Sequence, residues 1–238
     1  MSILDTLRHP IVLTAATGDG DTPRLVAAAS EGGGFGCLPS GYRSTEQFRA
    51  DVAAARALTS HAFGVELVAG GGYVADPERY VAYALSHLPV GEPRFADHAL
   101  DAKIQALLED PVAAVSFTRG SPSQRVVDEL HAAGSEVWLV AASPAEARDA
   151  AARGADAVIV PGIAALSPIR ASVTVPLVAA EPMRTGAGVA AALAAGATAA
   201  RYDISHLDSR HGDAGELVRA LAADGRGALG DALRRIPA

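Results

Sequence analysis

Eight short runs rich in Val, Ile, Leu and Ala, each bounded by Gly, Pro or Ser, alternate along this chain with Ala/Leu/Arg/Glu helical patterns. Near-continuous apolar runs suit strands buried on both faces, and strands alternating with helices indicate parallel βαβ units. The runs are Ile11–Ala15, Gly34–Leu38, Phe63–Val68, Ala113–Phe117, Glu136–Val140, Ala157–Val160, Val175–Ala179 and Ala197–Arg201. Helices are expected at Thr22–Ser30, Thr45–Leu58, Pro77–His87, Asp97–Leu108, Pro122–Ala133, Ala145–Arg153, Gly186–Ala195 and Asp213–Ala222. Several open on start signals: Ser44 ahead of Gln47, Ser121-Pro122, and Ser143-Pro144 ahead of Glu146. Eight such units predict an α/β fold, a single (β/α)8 TIM-barrel domain over residues 1–238.

Two places break the rhythm. Two helices stand between the third and fourth strands, joined by a polar stretch with Pro89, Gly91 and Pro93. Between the sixth and seventh strands there is room only for a short helical turn opened by Ser167-Pro168. Arg153-Gly154-Ala155-Asp156-Ala157 and Ala195-Gly196-Ala197-Thr198-Ala199 echo each other, as half-barrel repeats do and as ordinary helix–Gly–strand junctions also do.

With 238 residues, half of them apolar, one large core is within reach. A net charge of −7 excludes a broad basic face for nucleic acid. No apolar run approaches the roughly 20 residues of a membrane span, and Met1 to His9 lacks a leader pattern, so a cytoplasmic protein is expected. Cys37 is the sole cysteine, which leaves no internal disulfide and no cysteine metal cluster. Nineteen of the twenty basic residues are Arg, and Lys103 alone is Lys. Either Lys103 survives an Arg-biased composition by chance, or a compact ammonium is needed there.

The segment from His9-Pro10 through a Thr-Pro-x-Leu-Val-Ala-Ala helix, Gly32-Gly33-Gly34-Phe35-Gly36 and Gly41-Tyr42 is distinctive. It continues through Glu46-Gln47, Arg56-Ala57-Leu58-Thr59 and Phe63-Gly64-Val65-Glu66-Leu67. Further on come Asp101-Ala102-Lys103-Ile104, Val115-Ser116-Phe117-Thr118-Arg119-Gly120, and Ala145-Glu146-Ala147 leading to Arg153-Gly154-Ala155-Asp156-Ala157-Val158. Val175-Pro176-Leu177-Val178-Ala179-Ala180 precedes Gly188-Val189-Ala190-Ala191-Ala192-Leu193-Ala194-Ala195-Gly196-Ala197. In this order and spacing the segments resemble the nitronate monooxygenase flavoproteins over most of residues 9–202. The resemblance implies FMN at the C-terminal mouth of the barrel and oxidation of nitronates. It also implies a histidine base after the sixth strand and a phosphate held by the loops after strands seven and eight. The chain stops soon after the eighth helix, so a shortened barrel without the helical lid of many relatives is expected.

Chemical positions depart from that pattern. The loop after the first strand reads Thr14-Ala15-Ala16-Thr17-Gly18, and the family's Asn at the end of the third strand is Glu66, which only accepts. The sixth-strand loop reads Leu166-Ser167-Pro168, and no His lies from 132 to 205. The phosphate loop reads Glu181-Pro182-Met183, with Arg184 beside it, and Tyr202-Asp203 stands for a Gly-Thr pair. Glu66, Glu181 and Asp203 are therefore candidates for an acid/base set in a flavin-free isomerase, lyase or dehydratase, since crowded carboxylates divide the acid and base roles. A hard cation among those oxygens and plain ion pairs with Arg119, Arg184 or Arg201 are the competing readings. Thr14, Thr17, Ser40, Thr118, Arg119, Arg184 and Tyr202 are candidates for binding a small-molecule substrate or FMN. A non-catalytic binding barrel is the third possibility.

Cys37 follows the second strand as either a nucleophile or a small buried residue. Gly70-Gly71-Gly72 resembles a phosphate-cradling loop and equally a flexible one, and His206 with His211 is a weak metal spacing. The segment Ala228–Ile236 reads as an amphipathic helix, a candidate homodimer contact.

Overall fold

The computed structural model describes residues 2–14, 22–41, 43–69, 99–180, 185–203 and 214–223, with the backbone only of Asp203. Eight parallel strands close into a barrel in chain order: β1 (Ile11–Thr14), β2 (Phe35–Pro39), β3 (Phe63–Val68), β4 (Ala114–Thr118), β5 (Glu136–Val140), β6 (Ala157–Val160), β7 (Leu177–Ala179) and β8 (Ala199–Asp203). The ring is sealed by β1 on β8, where Thr14 pairs with Asp203. The helices that follow the strands are α1 (Thr22–Glu31), α2 (Thr45–Leu58), α3 (Leu100–Glu109), α4 (Gln124–Ala132), α5 (Pro144–Ala152), α6 (Leu166–Arg170), α7 (Gly186–Ala194) and α8 (214–223). This is a (β/α)8 TIM barrel. Among the described residues no helix is long and apolar enough to cross a membrane.

Sequence signals set the helix starts. Ser44 and Gln47 close a capping box on α2, and Ser143 caps α5 with Pro144 in its first turn. The expected helix Pro77–His87, the Gly70-Gly71-Gly72 loop, His206, His211 and Ala228–Ile236 lie outside the described residues.

Strand alternation sorts the core into two layers. Leu13, Val65, Leu67, Phe117, Leu139 and Tyr202 face the helices. Val12, Phe35, Cys37, Ala114, Trp138, Ala157, Ile159, Val178 and Ala199 fill the interior together with Leu4. Phe35 and Trp138 meet there at 5.1 Å between ring centroids. Gly64 makes that contact possible, because a Cβ on it would come within 2.8 Å of the Phe35 ring.

The N-terminal end of the barrel is stoppered. A 3-10 turn over Ile3–Thr6, capped by Ser2, places Leu4 in the interior cluster. Glu136 at the start of β5 holds this turn through Ser2 Oγ (3.0 Å) and the Ile3 N–H (2.6 Å). The same carboxylate accepts from Trp138 Nε1 at 2.9 Å.

Strand limits differ from the sequence reading by one residue at β1, β2 and β4 and by two at β7 and β8. β7 begins at Leu177, not Val175: Pro176 has no N–H for the ladder, and only its carbonyl is used, by the Val158 N–H. β8 starts at Ala199 and runs through Tyr202 and Asp203, which the sequence reading placed beyond its end. Ala197 and Thr198 are spent on the turn, donating to Ala192 and Leu177 carbonyls.

Candidate active site

In this fold the C-terminal ends of the strands form the functional face. Alternation from the interior cluster carries Thr14 (β1), Pro39 (β2), Glu66 (β3), Ser116 and Thr118 (β4), Val140 (β5) and Arg201 (β8) toward that mouth. Among the described residues, small side chains such as Ala141 and Ala180 follow some of these strands.

The central feature is an ion pair that spans the interior. Arg201 Nη2 lies 2.6 Å from Glu66 Oε2, with the side chains 20% and 17% exposed. Two strands, β1 and β2, separate their parent strands in the ring. Cys37 is fully enclosed near both charges, and burial pushes its thiol up to about 12, with Arg201 lowering it and Glu66 raising it. Its enclosure in the interior cluster gives Cys37 the place of a packing group.

Ser40 ends the approach of β2 to the mouth. Its carbonyl accepts from the Lys103 ammonium at 2.7 Å, and Lys103 is itself fully buried, 6.0 Å from the centre of the Phe48 ring. The Ser40 hydroxyl is enclosed without a hydrogen-bond partner, a cost that a bound polar group would relieve. At the mouth end of α7, Thr185 Oγ1 accepts from the Gly188 N–H at 3.2 Å, and the helix turns its positive end to this face.

The other expected site residues fall as follows. Thr14 is buried at the end of β1, beside Cys37 in register. Thr118 Oγ1 donates to the Leu67 carbonyl at 3.3 Å. Arg119 is exposed, with φ +55°, in a groove of about 530 Å³ between the β4 loop and α5 that also holds Glu146 and Arg153. Arg119 is thus set apart from the interior. Tyr202 is buried on the helix-facing side of β8, away from the interior face that Arg201 occupies. Thr17, Glu181 and Arg184 lie outside the described residues, as does the side chain of Asp203.

The structure therefore brings Glu66 together with Arg201, which the sequence reading named only as a partner for structural ion pairs. Strand parity was the available signal. Ala199 points inward, so Arg201 must as well, and Tyr202 must not.

A cluster at the opposite end contrasts with this mouth. Glu31 accepts from Thr59 Oγ1 at 2.6 Å and contacts His61 Nδ1 at 3.0 Å, and these two partners hold its carboxyl below the usual value of 4.5. It sits at the amino end of β3, the side of a barrel that serves stability.

Comparison with known proteins agrees with this architecture. The model of the family described as "Nitronate monooxygenase" matches residues 1–224. The nitronate monooxygenase of Pseudomonas aeruginosa is 32% identical over 230 residues, covering 81% of this chain and 64% of that protein. A probable nitronate monooxygenase of Staphylococcus aureus is 26% identical, covering 90% of this chain and 69% of its own length. Among solved structures, nitroalkane oxidase from Streptomyces ansochromogenes superposes with a TM-score of 0.75 at 32% identity, over 86% of this chain and 68% of that one. The chain thus spans about two thirds of the length of these relatives, and it belongs to the nitronate monooxygenase family.

Proposed function

We propose that the chain is a flavin-dependent oxidoreductase acting on small preformed organic anions of the nitronate class, at the C-terminal mouth of its barrel. The observation that carries this reading is the Glu66–Arg201 pair. Glu66 has a guanidinium on its carboxylate, so the interior offers a cation in place of a ready base. No His occurs from 132 to 205 to supply one. A neutral nitroalkane needs a base to lose its α proton, whereas a nitronate arrives already ionised.

FMN, when bound, supplies the electron acceptor. Two described features support FMN: the amino end of α7 suits a phosphate, and the enclosed Ser40 hydroxyl at the end of β2 has no partner; Glu181 and Pro182, just ahead of α7, depart from the family's phosphate loop. Thr14 and Ser116 line the same interior face with small polar side chains.

The test is spectroscopic. Purified protein, as isolated or after addition of FMN, should show a bound-flavin absorption spectrum. Anaerobic mixing with propane 2-nitronate should bleach it, and neutral 2-nitropropane should not. A protein that takes up no FMN, or one that reacts equally fast with the neutral form, overturns the proposal.

A further inference from the structure

We propose that Arg201 is the anchor for a planar anion that presents two oxygens side by side (carboxylate, nitrate or nitronate), with Glu66 as the positioning residue that holds its guanidinium. The identity of the substrate rests on the reading above, but the anion site itself does not.

A guanidinium carries five N–H donors in a rigid fork. Among the described residues, Arg201 has one recorded partner, the Glu66 oxygen on Nη2. The remaining donors sit on the interior face of β8, near the mouth, in a side chain that is 20% exposed. That exposure lets a ligand reach them. The enclosure keeps them from full hydration, so a donor there with no partner among the described residues favours a ligand acceptor.

The chemistry of the ligand follows from the fork. Two parallel N–H groups match two oxygens of a planar anion, each bond near linear, whereas a single-atom anion meets both only with bent, weaker bonds. Glu66 cancels the formal charge of Arg201, so a bare monovalent ion gains little from the field. An anion that makes two directed hydrogen bonds on the free edge still gains, because the guanidinium is nearer to it than Glu66 is. Glu66 has a second effect: it fixes the fork by one edge, so less freedom is lost when the other edge is occupied.

Two opposite responses separate this site from a structural ion pair. Arg201→Gln removes the fork, and anion affinity should fall roughly tenfold or more, the loss of hydrogen bonds to a charged group. Glu66→Gln removes the competing carboxylate and keeps an acceptor for Nη2, and affinity should rise about threefold to tenfold. A pair that serves only the fold predicts no anion binding in any of these proteins.

The experiment titrates flavin-free protein with sodium nitrate and sodium propionate, against sodium chloride at equal ionic strength, by calorimetry and thermal unfolding. Saturable binding of nitrate and propionate but not chloride, lost in Arg201→Gln and tightened in Glu66→Gln, is the expected result. If Arg201→Gln does not fold, the double variant Glu66→Gln/Arg201→Gln replaces it, because its amide pair leaves no charge unpaired, and the same loss is expected. Binding equal to that of chloride, or binding undiminished without Arg201, overturns the proposal. Anion binding through Arg201 in a protein that takes up no FMN leaves the anchor standing and removes the flavin reading. Flavin-loaded turnover of nitronate with an unchanged KM in Arg201→Gln does the reverse.

Discussion

The Lys103 ammonium on α3 donates to the Ser40 carbonyl at the end of β2, 2.7 Å away, from a position fully sealed from solvent. A chain that otherwise uses only Arg for its basic residues keeps a Lys at this place. The tetrahedral ammonium delivers its proton at the tip of a slim stem, over the Phe48 ring, where a planar guanidinium needs more room. Lys103→Arg should therefore be no better tolerated than Lys103→Met. Both should cost about 1–3 kcal/mol, the range for a charged hydrogen bond lost in the interior. Urea unfolding midpoints check this, and a Lys103→Arg protein with wild-type stability contradicts it.

Cys37 makes the alkaline side of the stability curve readable. Its thiol is raised from 9.0 to about 12 by burial. Between those values the unfolded chain has lost a proton that the native chain keeps, so stability falls as pH rises from about 9. The slope should approach roughly 1.4 kcal/mol per pH unit before it levels above the native value. Cys37→Ala should lack this limb. Urea titrations from pH 8 to 11 supply the comparison, and parallel curves for the two proteins would falsify the assignment.

Glu31 acts on the acid side. Its carboxyl is held low by the Thr59 hydroxyl and by His61, so its contribution is present above 4.5 and is lost as pH falls through the depressed value. Thr59→Val removes the first of these partners and should move the Glu31 titration up toward 4.5. Side-chain carboxyl NMR shifts across pH 2–6 measure it directly.

Three donors converge on Glu136: Ser2 Oγ, the Ile3 N–H and Trp138 Nε1. Glu136→Gln replaces one acceptor oxygen with a donor and must leave at least one of the three facing an N–H group. A loss of about 1–3 kcal/mol is expected. Trp138 is the only tryptophan, so its emission should shift to the red as the Ile3–Thr6 turn loosens. An unchanged spectrum and midpoint would show that the turn is held by Leu4 packing alone.

The barrel was legible because each strand is an apolar run with a sharp end. It was least legible where contrast fails. From Leu193 to Ala200 five of the eight residues are Ala, and composition there cannot tell the last turn of α7 from the start of β8. That error of two residues preserved the faces of the strand, yet it made Tyr202 look like a mouth residue. The candidate site was half legible. Glu66 stood out as a carboxylate in place of an amide, but its partner comes from five strands later in the chain, and no local pattern records a pairing across an interior. Lys103 was conspicuous only by its rarity, and its reason is a carbonyl 63 residues away in sequence.

The stopper of Leu4 under the Phe35–Trp138 pair has a kinetic consequence. Among the described residues that plug closes the floor, so a ligand of the Glu66–Arg201 face has to arrive and depart through the opposite end. Traffic through such a vestibule runs in turns: the spent molecule leaves before the fresh one settles. Under the proposed activity, product should therefore compete with substrate for the same doorstep.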